Sequence, residues 1–91
     1  MIIKKKIKKL LIANRGEIAC KIIKCAKNLN IPTVAIYSNE DVNSLHVQLA
    51  DEAVNIPGSL VSETYMNGTA IINLCKKYKA NAIHPGYGLL S

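Results

Sequence analysis

Leu10-Leu-Ile-Ala-Asn-Arg-Gly-Glu-Ile-Ala19 is the stretch that decides the fold. Four consecutive apolar residues, Leu10 to Ala13, are too few for a helix and do not alternate with polar ones. They read as a strand covered on both faces, the pattern of parallel sheets. Asn14-Arg15-Gly16 then breaks the run as a turn. From Glu17 to Leu29 the period changes: Ile18, Ile22, Cys25, Ala26 and Leu29 recur at helical spacing, with Lys21, Lys24 and Asn28 on another side. An amphipathic helix is expected, begun by Asn14 or Gly16 and favoured by the negative charge of Glu17 in its first turn. Asn28 to Pro32 ends it, because Pro32 cannot continue a helix.

Working outward, Thr33-Val-Ala-Ile-Tyr37 is β-branched and apolar, bounded by Pro32 and by Ser38-Asn-Glu-Asp41, and is a second strand. Strand, helix and strand within about 30 residues make a βαβ unit, which crosses over right-handed. Ser44 to Ala50 is expected as a short helix capped by Asn43 or Ser44, and Ala53 to Ile56 as a third strand. Pro57-Gly58-Ser59 opens a loop that runs to about Met66. A helix over Gly68 to Lys79 carries Ile71, Leu74, Cys75 and Tyr78 on one side, with Lys76, Lys77 and Lys79 at its C-terminal end. Ala82-Ile83 begins a fourth strand, stopped by Pro85-Gly86. The alternation predicts an α/β fold: a Rossmann-like, doubly wound parallel sheet of about four strands with helices on both faces. One domain is expected over 1–91, with 1–8 as a basic lead-in.

Bulk properties narrow the function classes. A hydrophobic share of 49% with 20% charged residues belongs to a chain that packs a core. The net charge is +6, yet nine of the twelve basic residues fall in the first 27 positions, so the excess is local and does not imply nucleic acid. No apolar run approaches the roughly 20 residues that cross a bilayer. The Lys-rich head places Ile3, Ile7, Leu10 and Leu11 at helical spacing, which sets an amphipathic membrane-surface helix beside the alternative, a solvated lead into the first strand. The head lacks the marks of a secretory or organelle signal, so a cytosolic chain, or one whose targeting peptide is not represented, is expected. Cys20, Cys25 and Cys75 form no Cys-x-x-Cys pair and are read as reduced, buried thiols. Cys20 and Cys25, five apart, point to different faces and cannot share a metal.

Two loops leave carboxyl ends of strands, where parallel sheets bind ligands. In the first, Ala13-Asn-Arg-Gly-Glu17, a glycine precedes a helix N-terminus. It lacks the G-x-G-x-x-G series, and Glu17 is negative where a phosphate would sit. The competing structural reading has Asn14 and Glu17 capping the helix and Arg15 pairing with an acid elsewhere. In the second, His84-Pro-Gly-Tyr-Gly88, Pro85 holds His84 extended and two glycines permit close backbone approach, with Tyr87 at the tip. Its structural reading is a tight turn. No ligand cluster accompanies His84, so no metal site is expected. His46 is expected as a surface or hydrogen-bonded residue rather than a catalyst. The candidate site is therefore Asn14, Arg15, Gly16, Glu17, His84, Pro85, Gly86, Tyr87 and Gly88.

Four segments in one order, Lys9 to Cys20, Thr33 to Ser38, Ser44 to Val54 and Ala82 to Gly88, resemble the opening of the biotin carboxylase family. The resemblance implies the domain that precedes an ATP-grasp fold, in an enzyme that phosphorylates bicarbonate with Mg-ATP and carboxylates biotin. It implies ATP, Mg2+ and biotin as cofactors whose main ligands lie in segments beyond Ser91, and so no catalytic residue within 1–91. Implied partners are the ATP-grasp and C-terminal portions, a biotin carboxyl carrier and a carboxyltransferase, with no nucleic acid or membrane. A homo-oligomer is possible on the same ground, although Lys24 and Asn28 replace an Arg and a Glu that bacterial members use for dimer contacts. A cytoplasmic or mitochondrial-matrix location follows. The resemblance also makes Tyr87 and its flanking glycines shaping groups at the bicarbonate and biotin end of a cleft, without proton transfer. Leu89 stands where the family usually has Phe. The opening is shared by acetyl-CoA, propionyl-CoA, methylcrotonyl-CoA, pyruvate and urea carboxylases, so the acceptor stays open. A competing function is a non-catalytic Rossmann-like module that docks on a partner subunit or an ATP-grasp domain. Another is a basic module that binds an acidic surface through Lys4 to Lys9.

Overall fold

The computed structural model describes residues 6–87. Its strands are β1 (Leu10–Ile12), β2 (Thr33–Tyr37), β3 (Glu52–Asn55) and β4 (Ala82–His84), and its helices are α1 (Gly16–Asn28), α2 (Leu45–Leu49) and α3 (Gly68–Tyr78). Single 3₁₀ turns lie at Asn39–Asp41 and Val61–Glu63. All pairings are parallel in the order β3-β2-β1-β4, with Leu11 opposite Val34 on one side and Ile83 on the other.

Alternation along the central strands sends side chains to two cores. Leu11, Val34 and Ile36 meet Tyr65, Ile71 and Cys75 on the α3 face. Leu10 and Ile12 meet Ala19, Ile23 and Ala26 on the α1 face, where Leu49 of α2 also packs. The chain steps from β1 to β2 to β3 with α1 and α2 on one face, then reverses across β2 and β1 to reach β4 with α3 on the other. Right-handed crossovers give that division, and the doubly wound expectation holds.

The inward stripe of α1 differs from the one read in the sequence. Its buried residues are Ala19, Cys20, Ile23 and Ala26, whereas Ile18 and Ile22 are half-buried and Cys25 and Leu29 are exposed. The helix is apolar over a wide arc, and the face it turns to the sheet is made by Ala19, Ile23 and Ala26. Cys25 is accordingly not a buried thiol, while Cys20 and Cys75 are. The third strand starts one residue earlier than expected, at Glu52. Ser44 stands at the N-cap of α2 without a side-chain hydrogen bond. In α3, Asn67 caps by accepting from the Ala70 N–H at 3.2 Å, and Lys79 ends the helix in the left-handed region at φ 61°. The lead-in is no helix over its described part. Asn81 accepts from the Lys8 N–H at 2.9 Å and donates to the Lys6 carbonyl, holding 6–9 alongside the start of β4, while Ile7 packs on the α1-face core.

Candidate functional site

The rim at the carboxyl ends of β1 and β4 is the topological switch point of this sheet, because the chain leaves β1 toward one side and β4 arrives from the other. The Ala13 N–H donates to the His84 carbonyl at 3.0 Å, so the two strands stay paired up to their exits. Asn14, buried at the end of β1, then joins the loops. Its Nδ2 donates to the Pro85 carbonyl at 2.8 Å and to the Tyr87 carbonyl at 3.1 Å, while its Oδ1 accepts from the Arg15 N–H at 2.8 Å. An asparagine is suited to this because its amide offers two donors and an acceptor on one short side chain.

Gly86 adopts φ +65°, and a Cβ there would stand 2.7 Å from Ile18 Cγ2 and 2.8 Å from Asn14 Nδ2. Any side chain would therefore strain the backbone and push the β4 loop off both Asn14 and α1. The Gly86 N–H donates to His84 Nδ1 at 3.0 Å, which turns the imidazole back onto its own loop. Ile18, Lys21, Ile22, His84, Gly86 and Tyr87 line a shallow pocket of about 190 Å³, and the Tyr87 side chain is exposed above it.

Arg15 leaves the same turn in another direction. Its Nε donates to Asp41 Oδ2 at 2.8 Å and its Nη2 to Asp41 Oδ1 at 2.6 Å, a two-pronged pair with the guanidinium half-exposed and the carboxylate buried. Tyr65 Oη donates to Asp41 Oδ2 at 2.6 Å and accepts from the Ser38 N–H at 3.1 Å, and Ser38 Oγ donates to the same carboxylate at 3.2 Å. Hydrogen bonding from Arg15, aided by Tyr65 and Ser38, holds the Asp41 carboxyl down at about 2 against the cost of burial. Burial, together with the neighbouring Asp41 carboxylate, pushes the Tyr65 phenol up to about 12. Asp41 in turn raises the Arg15 guanidinium above its ordinary value, and Arg15 also lies 5.9 Å from the centre of the Tyr65 ring. His46 is fully buried beside this cluster, its Nε2 donating to the Ile36 carbonyl at 3.0 Å. Burial lowers its pKa, which keeps the ring neutral.

The nine candidates thus divide. Asn14, His84, Pro85, Gly86 and Tyr87 form one interlocked rim. Arg15 finds the acid that the structural reading expected, but it is committed to Asp41. Asn14 does not cap α1: Arg15 is the N-cap residue and has no capping side chain, because the Asn14 amide is spent on the β4 loop. Glu17 is exposed and pairs weakly with Lys21 at 3.5 Å rather than capping. Gly16 takes φ +63° at the start of α1, and Gly88 lies outside the described residues. Ser38, Asp41 and Tyr65 were missed. Ser38 to Asp41 looked like a strand terminator and Tyr65 like loop, and their sole sequence signal is an aromatic residue in a segment with no apolar period.

Among its described residues the rim places no nucleophile beside a base. Among the described residues no three His, Cys, Asp or Glu side chains gather as a metal site. Glu17 at the helix N-terminus and the engaged Arg15 leave the first loop without a free cation for a nucleotide phosphate. The residues present do not fit Mg-ATP, and no chemical step through it is assigned to them.

A four-stranded parallel sheet with two interlocked loops at its switch point defines an α/β rim domain of Rossmann-like topology. The chain belongs to the family described as biotin carboxylase, N-terminal domain, whose pattern it matches over residues 6–91. It is 54% identical over 83 residues to the mitochondrial propionyl-CoA carboxylase alpha chain of Mus musculus, covering 91% of this chain and 12% of that one. It is 57% identical over 84 residues to the biotin carboxylase of Halalkalibacterium halodurans, covering 92% of this chain and 19% of the relative. Among solved structures, the biotin carboxylase domain dimer of Hydrogenobacter thermophilus 2-oxoglutarate carboxylase, in complex with MgADP, ADP and bicarbonate, superposes with a TM-score of 0.88 at 49% identity over 94% of this chain and 19% of that chain. The chain therefore spans under a fifth of the length of these relatives. No described helix is long and apolar enough to cross a membrane.

Proposed function

We propose that this chain is the first structural unit of an ATP-dependent biotin carboxylase within a biotin-dependent carboxylase, and that residues 1–91 are inactive alone. The observation that carries the reading is the Asn14 clamp, which builds the two family loops into one rim at the switch point. Membership of the biotin carboxylase family supports the reaction class. On this reading the rim walls one side of a cleft. Tyr87, exposed above the pocket floored by Ile18 and Ile22, shapes the bicarbonate and biotin end, and His84 to Gly86 hold it in place. ATP, Mg2+ and biotin are bound chiefly by an ATP-grasp and a C-terminal portion outside this chain. The carboxyl carrier and carboxyltransferase act downstream in a cytoplasmic or mitochondrial-matrix enzyme that forms homo-oligomers, as the dimeric Hydrogenobacter domain does.

The test is ATP turnover by this chain joined to the remainder of the Halalkalibacterium enzyme, set against residues 1–91 alone. The joined protein should hydrolyse ATP only when both biotin and bicarbonate are supplied. Turnover independent of either, or turnover by residues 1–91, sinks the reading.

A further inference from the structure

α1 begins without a side-chain cap. Arg15 is its N-cap residue, extended at φ −133° and ψ 172°. The Arg15 side chain ties this start down instead, its guanidinium held by both oxygens of Asp41 in the 3₁₀ turn after β2. Tyr65 Oη and Ser38 Oγ hold the same carboxylate from other directions. Asp41 is buried, so it has little room to follow Arg15 if the helix start moves. A buried ion pair is a weak way to stabilise a fold, and its best-attested use is to specify one arrangement over others.

Two links run from this helix start to the Tyr87 loop. The Arg15 N–H donates to Asn14 Oδ1, orienting the amide whose Nδ2 holds the Pro85 and Tyr87 carbonyls. Ile18, in the first turn of α1, stands so close to Gly86 that a Cβ there would lie 2.7 Å from its Cγ2. Asp41 does not line the pocket beneath Tyr87, so any influence it has there passes through α1. We propose that Asp41 is a positioning residue for Tyr87: through Arg15 it fixes the start of α1, which in turn sets where the Tyr87 loop stands at the biotin and bicarbonate end of the cleft. The proposal deepens the functional reading above and rests on it. Because Tyr87 shapes the site without moving a proton, displacing it removes binding shared by ground state and transition state, which raises KM and spares kcat.

The experiment measures biotin-dependent ATP turnover by this chain joined to the remainder of the Halalkalibacterium enzyme. Asp41→Asn should raise KM for biotin about tenfold with kcat changed by about twofold or less. In a Tyr87→Ala background the same substitution should add nothing, since two residues acting as one unit are not additive. Glu52→Gln breaks the Lys9 ion pair at the amino ends of the strands and should leave KM unchanged. An unmoved KM in Asp41→Asn overturns the proposal, as does an equal rise in Glu52→Gln or a further rise in the Tyr87→Ala background. If Asp41→Asn fails to fold, Arg15→Lys is read in its place; lysine keeps the charge but cannot grip a carboxylate with two prongs, and an unmoved KM there overturns the proposal equally. The Asn14 side-chain amide resonances of residues 1–91 are followed in parallel, without any turnover, and should shift in Asp41→Asn but not in Glu52→Gln; unshifted resonances in Asp41→Asn also overturn it. A joined protein with no biotin-dependent turnover refutes the functional reading and the positioning role with it, whereas an active one with KM unmoved refutes the positioning role alone.

Discussion

Asp41 concentrates more of the fold's polar energy than any residue of the rim. Its carboxylate accepts from Arg15, Tyr65 and Ser38, and hydrogen bonds to a charged group are worth roughly 1.5–3 kcal/mol each when buried. Because Arg15 is half solvated, the loss in Asp41→Asn should stay near the low end, about 2 kcal/mol in urea unfolding; a change below about 0.5 kcal/mol would remove Asp41 from this role. Two pH windows follow. Asp41 titrates at 3.8 unfolded and at about 2 folded, so its contribution is complete above 3.8 and is lost as pH falls toward 2. His46 has a folded value below 6.5, so the native state resists its proton, and the stability it contributes is complete above 6.5 and declines as pH falls below it. His46→Gln should flatten the midpoint between pH 7 and 5 while leaving the acid limb intact. Gly86→Ala tests the rim itself: strain at positive φ and a collision with two side chains should cost about 1–3 kcal/mol. Loss of the Asn14 to Pro85 hydrogen bond should be visible in the Asn14 amide resonances, and an unshifted amide would argue against the clamp. Little of this was legible from sequence. An asparagine before Arg-Gly reads as a cap, and that its amide crosses to a loop 71 residues away depends on the pairing of β1 with β4.

At the level of elements, the sequence was more informative. Leu10 to Ala13 and Thr33 to Tyr37 are apolar without alternation because both faces of their sheet are covered, and their bounds emerged nearly as read. The rotation of α1 was not readable, since Ile18, Ile22 and Ile23 are equivalent by type, and only packing on Leu10 and Ile12 turns Ile23 inward with Ala19 and Ala26. The two settings separate by mutation. Ile23→Ala should cost about 2–5 kcal/mol by opening a cavity, whereas Leu29→Ala, 64% exposed, should change the urea midpoint by about 0.5 kcal/mol or less. Equal effects would restore the original stripe. Lys79, held at φ 61° at the end of α3, is a lysine where helices prefer glycine. Lys79→Gly should raise stability by about 0.5–1 kcal/mol, read as a higher thermal midpoint.

The whole molecule is a narrow sheet whose buried strands are its middle two. Lys9 pairs with Glu52 at the start of β3, and among the described residues neither β3 nor β4 has a partner on its outer edge. Small domains bury a limited share of their surface, and two unpaired sheet edges lower that share further. Joining the remainder of the Halalkalibacterium enzyme should raise the thermal midpoint above that of residues 1–91 measured under the same conditions; an unchanged midpoint would mean that residues 1–91 gain nothing from their neighbours.

The Asn14 clamp has a mechanical consequence. A single carboxamide grips the β4 loop by two carbonyls while its oxygen accepts from the N–H of Arg15, the residue that opens α1, so loop and helix start share one anchor. Movement of the Tyr87 backbone therefore cannot occur without breaking a bond to the residue that ends β1.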